Sequence, residues 1–487
     1  MTRAILRVAC ASLLVAGALD AQGDRHEIGL RLRTFERALE AEADPARRDA
    51  AFVELERAVQ AFFGLDMKRV ASSIDAASLA LAGRAAAPVE QYARSLQLRL
   101  GARLVDAAGG VLTLEVRQLF AVDDQPDPPP ELTVAWRTHA DGAWARRPLG
   151  ELPASFEVEL GAMPPGDHAL RWTLSDGDEV FVDRQLAFGA AADLEARLDA
   201  VRAAAATAKG LAPKSIESLT VGALWSLLRT TQRRTPYETE LAGCALLAEA
   251  ERLMAWVADP SGEPLYRSGR PGSFRVRVPV GGRAISCRLF VPDVGGASDV
   301  RDASDVGNAP NVAAASRPLV VALHGAGGSE NLFFDGYGDG LCVALAKRRG
   351  WFVVAPRNGM GFVDCAALVD ELAGRYAIDR GKVFMVGHSM GAMQAMSNAS
   401  RAPRRYAAVA PIAGGGRVAA SAALAEVPFF VSAGARDFGK GGAQRLHAAL
   451  EAAGASARWR LYPSVEHLAV VQVALRDVFA FFDEHAR

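Results

Sequence analysis

The sequence Val383-Phe384-Met385-Val386-Gly387-His388-Ser389-Met390-Gly391-Ala392 carries an apolar run directly into a Gly-x-Ser-x-Gly motif. The run has the composition of a fully buried β-strand, and good helix formers continue the chain after the motif. A serine between a strand and a helix in this motif lies on a sharp turn that exposes its hydroxyl group. Side chains at Gly387 and Gly391 would crowd the backbone of that turn, which glycine avoids because it has no Cβ. The pattern predicts a reactive Ser389, with a serine in an ordinary glycine turn as the alternative.

Three further groups lie at the ends of predicted strands. The apolar run 318–323 ends in His324-Gly325-Ala326-Gly327-Gly328, a loop whose backbone N–H groups can point at a developing oxyanion. Downstream, Asp437 follows one predicted strand and His467 follows the last one. Because ligands bind at the carboxyl ends of parallel strands, we expect these groups to lie together with Ser389.

The motifs HGAGG, GHSMG, GARD and VEH occur in an order and at spacings that resemble those of the α/β-hydrolases. The resemblance runs from about residue 272 to the end of the chain, somewhat under half of its length. It is to hydrolases of the esterase and polyhydroxybutyrate-depolymerase-like kind. The resemblance implies a serine hydrolase in which a serine, a histidine and an acid form a catalytic triad.

Ser389 is the predicted nucleophile, because a serine hydroxyl becomes reactive when a neighbouring base takes its proton. His467 is the predicted base, since the unperturbed pKa of histidine lies near neutrality and this residue follows the last strand. Asp437 is the predicted acid, which orients the imidazole and stabilises its charged form. Glu466, directly before the histidine, is the alternative acid.

The predicted oxyanion hole uses backbone N–H groups, as is usual after this motif. One donor is the N–H of Met390, the residue after the nucleophile. The second is the N–H of Ala326 in the loop 324–328, called the oxyanion loop below, with Gly327 as the alternative. We expect His324 to support this loop through hydrogen bonds and His388 to shape the acyl pocket. The predicted pocket and supporting residues are His324, Gly325, Gly327 and His388.

Strands and helices alternate through the C-terminal part, which indicates a doubly wound, mostly parallel sheet of the α/β class. A hairpin around Gly281-Gly282 is expected to open this sheet, and the polar stretch 293–316 is expected to form a flexible insertion. The predicted strands are 318–323, 351–356, 382–387, 407–413, 427–433 and 457–462. The predicted helices are 338–349, 364–375, 390–401, 441–453 and 469–485.

The N-terminal half shows two other patterns. Apolar residues recur at helical spacing over 22–108 and again over 191–260, which predicts a helical region and a helical connector. Between them, at 109–190, short alternating runs separated by turns predict a small β-sandwich of Ig-like size. This module is interpreted as a spacer, with a carbohydrate- or surface-binding role as the alternative. The catalytic domain then occupies 261–487.

The chain has 487 residues, of which 50% are hydrophobic, so two or three domains with sizeable cores are expected. Its net charge of −1 gives no reason to expect a nucleic-acid partner. Arg3 and Arg7, a short apolar run and Ala16-Gly17-Ala18 predict a cleaved export signal at 1–21, with a frayed helix as the alternative. No later apolar stretch is long enough to predict a membrane span. We therefore expect the mature protein in the periplasm or outside the cell.

Of the five cysteines, Cys10 lies in the predicted signal, which leaves Cys244, Cys287, Cys342 and Cys365. Their spacings do not match a zinc site. Three disulfide connectivities and four free thiols are equally compatible with the sequence. No metal motif or nucleotide-binding loop is found, so no cofactor is expected.

Three functions are compatible with these features. The first is hydrolysis of a small or polymeric carboxylic ester by a serine hydrolase. The second is a peptidase of the prolyl-oligopeptidase type, against which the N-terminal half shows no propeller repeat. The third is a non-catalytic surface-binding protein with a hydrolase fold, against which Ser389, Asp437 and His467 are all present. Ester hydrolysis is the expectation, with the substrate and the oligomeric state left open.

Overall fold

The computed structural model of the chain divides into two compact units. The first comprises Met1–Ala206 and Leu224–Met254, and the second comprises Thr207–Ala223 and Ala255–Arg487. The structure describes residues 24–124, 126, 129–138, 142–211, 214–232, 237–260, 263–293, 316–359 and 361–486.

Two predicted segments lie outside the described residues. They are the export signal at 1–21 and all but the ends of the flexible insertion at 293–316. The predicted division of the chain into five domains stays a prediction, because the contacts separate only the two units.

Four helices begin the described part of the first unit, where the sequence predicted a helical region. They are α1 (24–41), α2 (Pro45–Phe63), α3 (Met67–Leu81) and α4 (Pro88–Ser95). Their apolar faces are buried, as Phe35, Phe52 and Ile74 illustrate. Asp44 caps α2, because its Oδ1 accepts a hydrogen bond from the N–H of Ala46 at 2.9 Å. Proline at the first helical position agrees with this start.

Two β-sheets follow and share one hydrophobic core. Their strands are β1 (Leu96–Leu100), β2 (Leu104–Asp106), β3 (Gly110–Gln118), β4 (Thr133–Arg137), β5 (Ala145–Pro148), β6 (Ala154–Leu160), β7 (Gly166–Asp176) and β8 (Glu179–Ala191). One sheet has the order β1-β3-β6 and the other β2-β8-β7-β4-β5. Leu114 from the first sheet and Trp172 from the second belong to the same core. The two sheets therefore pack face to face, which confirms the β-sandwich-like module.

The strands β1 and β2 lie inside the stretch 22–108, which the sequence predicted to be helical, and this part of the prediction is wrong. Leu96, Leu98 and Leu100 alternate with polar residues, and β1 pairs with β3 in an antiparallel register. Alternation with a period of two indicates a strand. The run is short and follows α4 directly, so the helical pattern before it concealed the signal.

Three helices lie in the predicted connector at 191–260. They are α5 (Leu194–Ala208), α6 (Ile216–Thr231) and α7 (Gly243–Ala258). The first half of α6 belongs to the second unit, where the buried carboxylate of Glu217 accepts hydrogen bonds of 2.8 and 3.0 Å from Arg375. The hydroxyl oxygen of Thr220 accepts a 2.9 Å hydrogen bond from the N–H of Arg277. These contacts make this part of α6 integral to the second unit.

An eight-stranded sheet forms the centre of the second unit. Its strands are β9 (Gly272–Val280), β10 (Arg283–Val291), β11 (Arg317–Leu323), β12 (Phe352–Pro356), β13 (Ile378–His388), β14 (Ala408–Ile412), β15 (Phe429–Gly434) and β16 (Ala457–Tyr462). Their order is β16-β15-β14-β13-β11-β12-β10-β9. Strands β11 to β16 are parallel, whereas β10 pairs antiparallel with β9 and β12. The mostly parallel α/β sheet and its opening hairpin are thereby confirmed.

Helices alternate with the parallel strands of the second unit. They are α8 (Leu332–Asp335), α9 (Tyr337–Arg349), α10 (Cys365–Ala373), α11 (Met390–Arg401), α12 (Ala422–Ala425), α13 (Lys440–Ala452) and α14 (Ala469–Glu484). Aromatic side chains hold α14 to the sheet: the ring of Phe482 stacks on that of Phe384 at 4.8 Å, and the ring of Phe479 stacks on that of Trp351, just before β12, at 6.0 Å. Because crossovers between parallel strands share one hand, the loops that follow the strands meet at one edge of the sheet.

The four described cysteines are free thiols. Cys287, Cys342 and Cys365 are buried in the second unit, and Cys244 is half-buried. Burial raises the pKa of all four thiols, because a thiolate is poorly solvated inside the protein. The three buried thiols are therefore expected to be chemically inert in the folded chain.

We expect a chain that lacks residues 1–21 to show four free thiols after denaturation without reductant. In the folded state only Cys244 should be alkylated, and slowly. Iodoacetamide labelling at mildly alkaline pH, followed by peptide mapping, measures both states. Rapid modification of Cys342 or Cys365 in the folded protein, or an intact mass lowered by the two hydrogens of a disulfide, would contradict this assignment.

Candidate active site

Ser389 lies at the sharp turn between β13 and α11. Its φ of 54° and ψ of −113° form a strained backbone conformation for a residue that carries a Cβ. The N–H of Ser389 donates a 2.9 Å hydrogen bond to the carbonyl oxygen of Ile412, which fixes the turn against β14. A strained serine between a central strand and a helix is the geometry of a nucleophile elbow.

Glycines allow neighbouring backbone segments to approach this elbow. A Cβ at Gly387 would clash with the carbonyl oxygen of Gly391, and a Cβ at Gly391 would clash with that of Leu323. Glycine is therefore required at both positions, in agreement with the motif. A Cβ at Gly325 would lie 3.4 Å from the Cβ of Ser389, so the oxyanion loop passes directly beside the serine.

His467 and Asp437 form a buried hydrogen-bonded pair. The distance between His467 Nδ1 and Asp437 Oδ1 is 2.7 Å, and the two side chains are 5% and 0% exposed. Since a carboxylate only accepts, Nδ1 carries the proton and Nε2 keeps a lone pair. The second carboxylate oxygen, Oδ2, has no hydrogen-bond partner among the described residues. The imidazole is thus the side chain that partners this buried acid.

Backbone hydrogen bonds join the loop that carries the acid to the loop that carries the histidine. The N–H of Ala435 donates to the carbonyl oxygen of Tyr462 at 2.9 Å, and the N–H of Arg436 donates to that of Val465 at 3.0 Å. A Cβ at Gly434 would clash with the carbonyl oxygen of Val465, so this close approach requires glycine. The two loops therefore hold the acid and the base at a fixed separation.

The two residues after Asp437 complete the acid loop. The N–H of Gly439 donates a 2.6 Å hydrogen bond to Asp437 Oδ1, and a Cβ at Gly439 would clash with the carbonyl oxygen of Ala413. The ring of Phe438 lies 4.1 Å from that of His467, centroid to centroid, although 60% of Phe438 is exposed. Phe438 thus covers one part of the imidazole and presents an apolar surface to solvent.

Glu466, the alternative acid, has a different role in the structure. Its carboxylate is buried and accepts hydrogen bonds from the N–H of Leu468 at 2.7 Å and from the N–H of Ala469 at 2.5 Å. These two N–H groups have no acceptor within α14 itself, so the carboxylate of Glu466 caps that helix. Of the two carboxylates, it is Asp437 that binds His467 Nδ1.

The oxyanion loop is held by Asn358, a residue that the sequence analysis missed. Asn358 Oδ1 accepts from the N–H of His324 at 3.0 Å, and its Nδ2 donates to the carbonyl oxygen of His324 at 2.9 Å. The N–H of Asn358 also donates to His324 Nε2, at 3.2 Å. With Nε2 as acceptor, Nδ1–H donates to the carbonyl oxygen of Gly325 at 2.8 Å. Asn358 lies just after β12, at the carboxyl edge of the sheet, and this position alone could have indicated a residue of the site.

The predicted oxyanion donors lie at the start of α11 and in the oxyanion loop. Met390 is the first residue of α11, where backbone N–H groups have no acceptor within the helix. Ala326 and Gly327 are exposed in the oxyanion loop, and the φ of Gly327 is 74°, a left-handed conformation that suits glycine. The loop is closed by a 3.2 Å hydrogen bond from the N–H of Gly328 to the carbonyl oxygen of Gly325.

His388 is buried rather than open to solvent. Its Nε2 lies 3.0 Å from the carbonyl oxygen of His467, and its Nδ1 lies 2.8 Å from the hydroxyl oxygen of Tyr337. Both ring nitrogens are therefore used within the protein. The contribution of His388 to an acyl pocket stays a prediction.

Comparisons of sequence give two partial relatives. No protein-family model matches the chain. A segment is 30% identical over 140 residues to a bifunctional acetylxylan esterase/xylanase from Neocallimastix patriciarum, covering 26% of this chain and 20% of that protein. Another match is 34% identical over 113 residues to NocK, a provisionally named esterase of Nocardia uniformis subsp. tsuyamanensis, covering 20% of this chain and 33% of that protein. The chain thus spans a third or less of the length of these relatives.

Solved structures that align with the chain include serine hydrolases. The fluorophosphonate-binding serine hydrolase F of Staphylococcus aureus aligns over 44% of this chain and 99% of its own, at 14% identity and a TM-score of 0.34. A ferulic acid esterase aligns over 44% of this chain and 98% of its own, at 15% identity and a TM-score of 0.36. The strand order of the large sheet and the elbow after β13 identify the fold of the second unit. It is an α/β-hydrolase fold.

The second unit brings together Ser389, the oxyanion loop, His467 and Asp437 at the carboxyl edge of its sheet. Among the described residues of the chain, no group of three or more His, Cys, Asp or Glu side chains is arranged to hold a metal ion. Over the same ranges, no helix has the length and apolar character needed to cross a membrane.

Proposed function

We propose that the chain is an exported serine hydrolase that cleaves carboxylic esters through Ser389, His467 and Asp437. The observation that carries this proposal is the 2.7 Å contact between His467 Nδ1 and Asp437 Oδ1, beside a strained elbow in which His388, the neighbour of Ser389, has its ring 4.7 Å from that of His467. Protonation at Nδ1 leaves the lone pair of Nε2 for general-base catalysis. The partial relatives with esterase names support an ester as the substrate.

In the first half-reaction, the Ser389 oxygen attacks the ester carbonyl carbon while His467 Nε2 takes the hydroxyl proton. The carboxylate of Asp437 stabilises the imidazolium that forms. The carbonyl oxygen becomes an oxyanion, which accepts hydrogen bonds from the N–H groups of Met390 and Ala326, with Gly327 as the alternative to Ala326. The bond to the alcohol then breaks, and the alcohol leaves with the proton from His467.

In the second half-reaction, water attacks the carbonyl carbon of the acyl-serine while His467 takes a proton from the water. The same N–H groups hold the second oxyanion. When this intermediate collapses, the bond to the Ser389 oxygen breaks and that oxygen receives the proton from His467. The carboxylic acid product leaves, and the free enzyme is restored with every proton accounted for.

The surface near the proposed site suits a substrate with an apolar group. Phe438, which follows the proposed acid, is 60% exposed, and Met393, one helical turn after Ser389, is 49% exposed. Exposed apolar side chains near a site provide contact area for an apolar acyl or alcohol group. The proposed substrate is therefore a small or polymeric ester with such a group on one side of its carbonyl.

Export and the choice of an ester over a peptide rest on different features. The basic residues Arg3 and Arg7 followed by a short apolar run support a cleaved signal. The described part of the first unit consists of helices and a two-sheet module, not of repeated four-stranded blades, which argues against a prolyl-oligopeptidase-type peptidase. The intact mass of chain recovered from the periplasm or the medium checks the cleavage.

The test is covalent labelling together with a substrate panel. A fluorophosphonate probe should label the wild-type chain, since the Ser389 oxygen displaces fluoride at phosphorus, and should not label Ser389→Ala. Ser397→Ala is the matched control, because Ser397 lies on the same helix and donates to the carbonyl oxygen of Met393 at 2.9 Å. Short aryl esters should be cleaved faster than peptides. Absence of labelling in a folded wild-type chain would favour the non-catalytic alternative, and preference for peptides would favour the peptidase.

A further inference from the structure

We propose that Tyr337 and His388 form a hydrogen-bonded pair that positions His467 for general-base catalysis. This inference rests on the proposed function, because it takes His467 as the base. Tyr337 Oη lies 2.8 Å from His388 Nδ1, and His388 Nε2 lies 3.0 Å from the carbonyl oxygen of His467. Both are positioning residues, because they act on the reaction through His467.

The direction of both hydrogen bonds is fixed by chemistry. The carbonyl oxygen of His467 can only accept, so His388 carries its proton on Nε2. A neutral imidazole then accepts at Nδ1, and the hydroxyl group of Tyr337 donates. Burial lowers the pKa of His388 well below its ordinary value, and the nearby His467 lowers it further, so the ring stays neutral. The tautomer of His388 is thus set by Tyr337 on one side and by the base residue on the other.

Packing confines the pair. Tyr337 is 4% exposed and His388 is 2% exposed, and their rings meet edge to face at 5.4 Å. The Tyr337 ring also packs edge to face against Phe333 at 4.9 Å, and the rings of His388 and His467 are 4.7 Å apart. A Cβ at Gly325 would lie 2.9 Å from His388 Nδ1, so the oxyanion loop closes the remaining side. Neither side chain has room to swing away.

The backbone that carries Tyr337 is strained. The φ of Tyr337 is 43° and that of Asp339 is 57°, and the glycines at 338 and 340 have φ of 77° and 78°. Non-glycine residues rarely adopt this left-handed region, and such conformations concentrate at functional sites. A Cβ at Gly338 would lie 2.8 Å from Gln472 Cγ, so both the left-handed φ and the close approach favour glycine at this position. The strain accompanies the inward placement of the tyrosine ring beside His388.

Two contacts thus hold the base residue from two directions. Asp437 fixes the imidazole of His467 through Nδ1, while His388 fixes the main chain of the same residue. A general base must stay within hydrogen-bond reach of the hydroxyl proton that it takes, and small displacements lower the rate strongly. Without the Tyr337 hydroxyl, Nδ1 of His388 is a buried acceptor that has lost this donor, and the ring has lost one of the two hydrogen bonds that hold it. The hydrogen bond from Nε2–H to the carbonyl oxygen of His467 is then held less firmly, and with it the main chain of the base residue.

The kinetic test compares Tyr337→Phe with Tyr406→Phe. Tyr406 is also buried in the second unit, and its hydroxyl has no hydrogen-bond partner among the described residues. We expect Tyr337→Phe to lower kcat on a short aryl ester between about 10- and 100-fold with little change in KM. Tyr406→Phe should retain the kcat of the wild type. His388→Gln keeps a side-chain N–H donor and should retain more activity than His388→Leu, measured on folded protein.

A spectroscopic test reads the tautomer directly. In ¹⁵N-histidine-labelled protein, the His388 ring should be neutral and protonated on Nε2. In Tyr337→Phe it should keep this tautomer, and the Nδ1 resonance should shift to that of a ring nitrogen that has lost its hydrogen-bond donor. An active wild type in which Tyr337→Phe has the same kcat as Tyr406→Phe, or a wild-type His388 protonated on Nδ1, overturns this inference and leaves the proposed function standing. Full activity of His467→Ala overturns the proposed function, and the inference with it.

Discussion

Replacing Ser389 with alanine is expected to lower kcat for ester hydrolysis by about 10⁶-fold and to leave the fold intact. The change removes the attacking oxygen, while the elbow keeps the glycines on which its backbone depends. The measurement is the rate of aryl ester hydrolysis, with circular dichroism to show that the variant is folded. Retention of more than about a tenth of the wild-type activity would show that another residue is the nucleophile.

His467→Ala is expected to be nearly as damaging as Ser389→Ala. The nucleophile and its base act as one unit, so the double variant should be little slower than either single variant. Ser397 is an exposed serine on α11, the helix that follows Ser389. The variant Ser397→Ala is therefore the control for an incidental effect of losing a hydroxyl group nearby. If the two single losses instead multiplied in the double variant, the two residues would be acting independently, contrary to the proposed triad.

Asp437→Asn is expected to lower kcat by about 10⁴-fold, since the neutral amide neither fixes the catalytic tautomer nor stabilises the imidazolium. The change should affect the chemistry more than the fold. Asp437 Oδ1 accepts hydrogen bonds from both His467 Nδ1 and the N–H of Gly439. An asparagine oxygen can keep the bond to Gly439, so the loop should retain its shape. The comparison of kcat with the thermal unfolding of the same variant separates a chemical loss from a structural one.

Glu466→Gln is the matched change at the neighbouring carboxylate. Glu466 caps α14 through two backbone N–H groups, so this variant should lose stability by about 1 kcal/mol with little change in kcat. A severe loss of kcat in Glu466→Gln together with a mild loss in Asp437→Asn would show that Glu466, not Asp437, is the acid of the triad.

Local sequence patterns were sufficient to predict most of the strands and helices of the second unit. The strand at 457–462 and the helix at 390–401 have the predicted bounds. Continuous apolar runs are typical of strands buried on both faces, and the intervening helices are long enough to show their own period. The chemistry of the motifs then indicated Ser389, Asp437 and His467, because each follows a strand at the same edge of the sheet.

The residues that support the site were less accessible to sequence reasoning, because their partners are distant along the chain. Asn358 is 34 residues from His324, and Tyr337 is 51 residues from His388. His388 in turn meets the main chain of His467 across 79 residues. No local period or motif records such contacts, which depend on how the strands are ordered in the sheet.

The division of α6 between the two units affects how the chain is made. The chain enters the second unit at Thr207, leaves it after Ala223 and returns at Ala255. During synthesis, Glu217 therefore leaves the ribosome long before Arg375, the partner of its buried carboxylate. A shortened chain that begins near 259 would lack Glu217 altogether, and with it the hydrogen bonds that this carboxylate accepts from Arg375. The second unit is thus discontinuous along the chain, and one part of it is translated well before its sheet.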